Sequence, residues 1–243
     1  MNTLALDAQR DRVRDAARIS ADQAAAMLLA LQHNARTALA WVHPSWSATA
    51  FGCDEAAFRG WFAAAGERCD DPCSLALLRT LLPQTPSFER LNASVASRID
   101  ALPVETGLRV LRLYALLFRR AEVRRLIDRD TRTRLAQWIG CPLDAFTRLA
   151  VLDAPSSPDL ARASQAAVVP ALDTLDAEQL ALEGYARFTH DSSIPPCPLL
   201  RLALPRELPE ALHWLHALPA LSDAQMPRLL ETRLKQLLPE YAW

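Results

Sequence analysis

The sequence predicts an all-α protein, an irregular globular bundle of roughly ten helices with no substantial sheet. Three observations predict it. The chain has only 6 glycines in 243 residues and is rich in alanine, leucine and arginine, a composition that favours helix over strand. Ser or Asp followed three residues later by Gln recurs ahead of apolar residues spaced three and four apart, the signature of a capped amphipathic helix. No run of alternating β-branched residues competes with that pattern.

Taken in order, Ser20 and Gln23 form a capping box for a helix expected to bury Met27, Leu28 and Leu31. Asp54 caps a second helix whose Phe58, Trp61, Phe62 and Ala65 share a face. Ser74 precedes a short helix that Pro83 stops, and Pro72 is expected to interrupt any helix upstream of it. Ser87 opens a helix reaching about Leu102. Pro103 stands where a first helical turn tolerates proline, ahead of Leu108, Leu111, Leu116 and Phe118. Asp130 is expected to cap a helix bearing Leu135, Trp138 and Ile139 that ends at Gly140 as a left-handed C-cap. Pro142 starts the next, with Leu143, Phe146, Leu149 and Val151.

The segment Ala154-Pro-Ser-Ser-Pro breaks the chain and divides it into a helical domain, 1–153, and a C-terminal helical extension or subdomain, 154–243, packed on it. Beyond the break, Asp176 and Gln179 repeat the capping box ahead of Leu180 to Phe188. Ser193-Ile-Pro-Pro-Cys-Pro reads as a loop. Pro205 and Ser222 are expected to begin two last helices, the second carrying Gln225, Leu229, Leu230, Leu234 and Leu237.

Composition narrows the function. With 51% hydrophobic and 23% charged residues the chain can bury a core, and a net charge of −1 supplies no global field toward nucleic acid or an anionic membrane. Its longest aliphatic run, 24–31, is far short of the ~20 residues a bilayer needs. The start becomes charged too early for a secretory leader, and the 5 cysteines are odd in number, so free thiols in a reducing cytosol are expected. Lys235 is the only lysine. The positive charge is therefore carried by arginine, whose planar fork suits protein–protein ion pairs.

That charge is unevenly placed. Residues 105–134 hold nine arginines against four acids, and 152–191 hold seven acids against two arginines. The two segments either pair with each other or form separate surfaces for different partners. Arg119, Arg120, Arg124, Arg125 and Arg129 are the candidate partner-binding residues.

Catalytic signatures are missing: no phosphate-cradling glycine loop, no dinucleotide fingerprint and no Gly-x-Ser-x-Gly elbow occur. Cys69 and Cys73, and His213 and His216, are helically spaced pairs without the further ligands of a metal site. Cys53, beside a helix N-terminus and ten residues after His43, lacks a recognisable orienting group. No enzyme activity, cofactor or metal is expected.

The most distinctive stretch is Trp41-Val-His-Pro-Ser-Trp. His43 precedes proline and is driven to extended backbone, Pro44 fixes the turn, and Ser45 is a candidate cap for the next element. Trp41 and Trp46 flank it, either pinning the corner to the core or meeting a partner.

This stretch resembles the His-Pro-Ser-Trp element of the SctK proteins of bacterial type III secretion systems, the YscK, PscK, OrgA and MxiK group. Gly107-Leu-Arg-Val-Leu-Arg-Leu-Tyr-Ala-Leu-Leu-Phe, then Val123-Arg-Arg-Leu-Ile-Asp-Arg-Asp, then Leu135 through Gly140, resemble that family's basic, aliphatic helical segment. Together the two stretches span about residues 36–150. The resemblance implies a non-enzymatic, monomeric adaptor of the sorting platform, on the cytosolic face of the inner-membrane apparatus. It would link the ring protein SctD to the pod protein SctQ, which holds the SctL stator and the SctN ATPase. It implies no catalytic residues and no cofactor, and a structural role for His43, Pro44, Ser45 and Trp46. The alternatives are an unrelated helical scaffold, a chaperone-like protein-binding module, or an arginine-rich nucleic-acid-binding protein.

Overall fold

The computed structural model describes residues 20–65, 70–82, 87–91, 95–151, 169–189, 197–217 and 236–237, and among them every regular element is helical. Helix α1 (Ala21–Arg36) starts from the expected box: Gln23 N–H donates to Ser20 Oγ at 3.1 Å and Ser20 N–H to Gln23 Oε1 at 2.9 Å. Its inward stripe is Met27, Leu31 and Asn34. Leu28, expected inside, is 49% exposed, because one step along a helix turns a side chain about 100° away from its neighbour.

A kink at Thr37 leads into α2 (Ala38–Trp41), and α3 (Pro44–Phe51) ends on left-handed Gly52 at φ 64°. Asp54 caps α4 (Glu55–Ala65) through Oδ1, which accepts from Ala57 N–H at 2.7 Å. Phe58 is buried and Phe62 half-buried, but Trp61 turns to solvent. Helix α5 (Asp70–Leu81) begins earlier than Ser74 suggested. Pro72 sits in its first turn, where the missing N–H is one of the helix's orphan donors in any case. Ser74 is interior and buried, its Oγ accepting from Leu39 N–H at 3.1 Å, so it joins two helices instead of starting one.

Helix α6 is Phe88–Leu91, and α7 (Val95–Arg98) runs into a 3₁₀ turn, Ile99–Ala101; residues 92–94, within the helix expected from Ser87 to about Leu102, lie outside the described residues. Helix α8 (Val104–Phe118) is the central rod, buried continuously from Val110 to Leu116. Arg119 separates it from the short α9 (Arg120–Arg125). For α10 (Arg129–Ile139) the cap is Asp128, not Asp130: its carboxylate accepts from Thr131 N–H at 2.7 Å and its backbone is extended. Asp130 lies in the first turn, where a negative charge still favours the helix dipole. Gly140 closes α10 at φ 72°, and α11 (Leu143–Val151) follows.

Helix α12 (Ala177–Thr189) is opened by the second box, with Gln179 N–H to Asp176 Oδ1 at 2.7 Å and Asp176 N–H to Gln179 Oε1 at 3.1 Å. Pro198 is the first residue of α13 (Pro198–Arg201). Pro205 starts no helix. The Arg201 guanidinium donates to the carbonyls of Leu204, Pro205 and Arg206, so side chains engage this backbone, and a 3₁₀ segment, Glu210–Ala217, comes after it. Cys69, Pro83, the Ala154 break, residues 193–196, and Ser222, Gln225, Leu229, Leu230 and Leu234 lie outside the described residues, as do the side chains of Ala65, Leu149, Val151 and His216.

Among the described residues two large apolar clusters and a small third one, Met27, Leu91 and Ala101, form the interior. The largest surrounds α8 and takes in Leu135, Ile139 and Phe146 with Leu172, Leu180, Leu200, Leu212 and Leu237. The second joins Ala38, Leu39, Val42, Phe58, Leu77 and Leu78 to Leu199 and Leu202. Helix α13 and the residue after it thus serve both large clusters, Leu199 and Leu202 in one and Leu200 in the other. Its first turn is held by the buried Asp100 carboxylate, which accepts from Leu199 N–H at 3.0 Å and Leu200 N–H at 2.8 Å.

Candidate functional site

The His-Pro-Ser-Trp corner is a joint within the fold. His43 is the N-cap of α3, its Nδ1 accepting from Ser45 N–H at 3.2 Å. The cap is therefore the imidazole and not the Ser45 hydroxyl. Ser45 Oγ instead accepts from Arg206 N–H at 3.0 Å, and Trp46 Nε1–H donates to Leu204 O at 2.9 Å. His43 N–H reaches Leu202 O at 2.8 Å, and the Arg201 and Arg206 guanidinium groups lie over the Trp46 ring at 5.2 and 5.8 Å. Each of these partners is about 160 residues downstream in the chain, so the motif clamps 202–206 onto the N-terminal helices. Trp41 turns the other way and donates to Asn34 O at 2.8 Å.

Beside this joint an open groove of about 340 Å³ is walled by Trp41, Val42, Pro44, Phe58 and Phe62, with Arg59, His43 and Glu178 at its polar edges. His43 Nε2 is 3.5 Å from the Glu178 carboxylate. Phe51, Phe58 and Phe62 stack in series, with centroids 5.6 and 6.2 Å apart, and Phe51 and Trp61 are exposed by 49% and 59%. This aromatic face has the composition of a protein-contact surface.

The arginines divide into two sets. Arg119 does not belong to the surface: it is buried, with Nε 2.9 Å from both Glu183 oxygens and Nη1 3.0 Å from Glu122. Arg187 reaches the same Glu183 at 2.8 Å and lies over the Phe118 and Trp214 rings. Arg119 with Glu183 therefore joins the basic and acidic segments at one buried point, while Asp173, Asp176 and Glu178 of the acidic segment stay exposed. Burial pulls the Arg187 guanidinium below its ordinary value, Glu183 notwithstanding. Burial acts on Arg119 too, but Glu183 and Glu122 together outweigh it and hold that group above its ordinary value. Arg124, Arg125 and Arg129 stay exposed, and Arg120 is half-exposed.

Cys53, Cys73, Cys141 and Cys197 are free thiols, and the His213 ring nitrogen contacts Leu208 O at 3.1 Å. Among the described residues no group of three potential metal ligands converges, and no helix is long and apolar enough to cross a membrane. Glu183 and Gly184 were not legible as key residues, although a glycine inside a helical pattern is itself a packing signal.

A family model described as Bacterial type III secretion protein (HrpB4) matches residues 18–240. The chain belongs to that family. The HrpB4 match runs through residues on both sides of Ala154, beyond the stretch of about 36–150 that carries the SctK resemblance. No curated protein and no solved structure matches the chain.

Proposed function

We propose that this HrpB4-family chain is a non-enzymatic adaptor of the type III secretion sorting platform. It joins the cytoplasmic domain of the ring protein SctD to the pod protein SctQ, and through SctQ to SctL and the SctN ATPase. It acts as a monomer at the cytosolic face of the inner membrane. Membership of a type III secretion family supports the setting. The likeness of residues 41–46 and 107–140 to the SctK proteins supports the role.

The observation that carries the reading is α13. By contributing to both large apolar clusters and donating its first N–H groups to Asp100, it joins the cluster under the aromatic groove to the cluster under the exposed arginines of α9 and α10. An adaptor needs two chemically unlike surfaces on one stiff body, each large enough for an exchangeable contact of below about 1,600 Å². The test is co-purification of the full chain with the SctD cytoplasmic domain and with SctQ, first singly and then together. Binding of both at once is expected. Failure to bind either, or competition between them for the chain, overturns the reading.

A further inference from the structure

The corner between α9 and α10 carries chemistry that the family motif does not use. Ile127 is 94% exposed, at the tip of the turn Leu126–Asp128, while Leu126 beside it is half-buried against the core. One exposed aliphatic residue means little by itself. Its surroundings give it meaning. Arg124, Arg125 and Arg129 are exposed around it in sequence, and Arg120 is half-exposed on the same short helix.

Two of the acids nearest in sequence make contacts within the fold. Glu122 is turned inward, accepting from Arg119 at 3.0 Å and from Leu172 N–H at 2.6 Å. Asp128 is occupied as the cap of α10, and Arg132, the next arginine along, is paired with Asp144 at 2.6 Å. Asp130 stays exposed in the first turn of α10 and the capping Asp128 is exposed too, two negative charges set among Arg120, Arg124, Arg125 and Arg129. Arg120 is held below its ordinary value by partial burial and by the like charge of Arg124, a sign of crowded positive charge.

We propose that this corner is a docking surface for a protein segment rich in Asp and Glu that presents an apolar slot, with Ile127 as the anchor and Arg124, Arg125 and Arg129 as the charge ring. The arginines orient the encounter and the isoleucine supplies the desolvated centre, the arrangement expected of a small hot spot. Nucleic acid fits less well. Stacking would need aromatic rings at the corner, yet Tyr114 is buried and packs edge-on against Phe118 and Phe188 in the core. A membrane surface fits less well too, since one aliphatic side chain is too small an apolar anchor. The inference rests on reading the chain as a protein-binding adaptor but not on which protein occupies the corner.

The experiment places a photo-crosslinking amino acid at Ile127 in the full chain, in cells that assemble the secretion system, with a second probe at Trp61. The expected result is a protein adduct at position 127 whose crosslinked peptide is rich in Asp and Glu. It should fall about tenfold when Arg124→Glu and Arg125→Glu are combined, with the melting of the chain unchanged. An adduct to nucleic acid or lipid alone overturns the proposal, as does a protein adduct indifferent to the arginine reversals, or no adduct at 127. An acidic protein other than SctD or SctQ would uphold the docking surface and count against the adaptor assignment.

Discussion

Glu183 is fully buried and receives hydrogen bonds from two arginines, Arg119 at 2.9 Å and Arg187 at 2.8 Å. The three charges are not equivalent. Arg119 keeps a second carboxylate in Glu122, whereas Arg187 is otherwise set against aromatic faces. A buried ion pair adds little net stability while it is intact, but removing one partner strands the other in a medium that cannot solvate it. Glu183→Gln is therefore expected to cost about 3–5 kcal/mol in urea unfolding. A loss below about 1 kcal/mol would mean that water already reaches the cluster. The His-Pro-Ser-Trp residues work at the same scale by hydrogen bonding. His43, Ser45 and Trp46 each bond backbone of 202–206, a structural use for those residue types.

At the scale of helices, the closest approach is between α8 and α12. A Cβ built on Gly184 would lie 1.9 Å from Leu111 O, so the two backbones meet where a side chain would otherwise stand. Gly60, inside α4, has nothing within 4 Å of the same position. The same substitution should then have opposite signs at the two sites. Gly184→Ala is expected to destabilise by about 3 kcal/mol through overpacking against backbone that cannot yield. Gly60→Ala should stabilise by about 0.5–1 kcal/mol through helix propensity alone. Paired thermal melts check both, and an equal response at the two positions would refute the close crossing. The capping boxes at Ser20 and Asp176 belong to this scale as well. They are local in sequence, and both form as their residue types require.

For the molecule as a whole, the surroundings of α13 make stability pH-dependent on the alkaline side. Cys197 is fully buried, and burial followed by the nearby Asp100 carboxylate raises its thiol well above the ordinary value. Burial likewise raises the Tyr185 phenol, reinforced by Cys197 and Asp100 and opposed by Arg201. Both groups keep their protons in the folded chain after the unfolded chain has lost them. Their contribution is thus complete below the ordinary values, about pH 8.5 for a thiol and about pH 10 for a phenol, and declines as pH rises beyond each. Melting temperature should be level up to about pH 8 and then fall, and Cys197→Ala should postpone the start of that fall toward the phenol range. An unchanged onset in the variant would show that the thiol is not the titrating group.

By itself the sequence determined the all-helical class, both capping boxes, the Gly140 terminus and the run of α8, because each depends on residues within a few positions of one another. Tertiary structure alone decided which arginines reach solvent, since the partner that buries Arg119 lies 64 residues away. It likewise placed Ser74 inside a helix as a cross-link and turned Leu28 and Trp61 outward. Capping chemistry is written in short-range spacing. Burial and pairing are set by which distant helix faces meet, and a linear pattern of charge or apolarity carries no record of that choice.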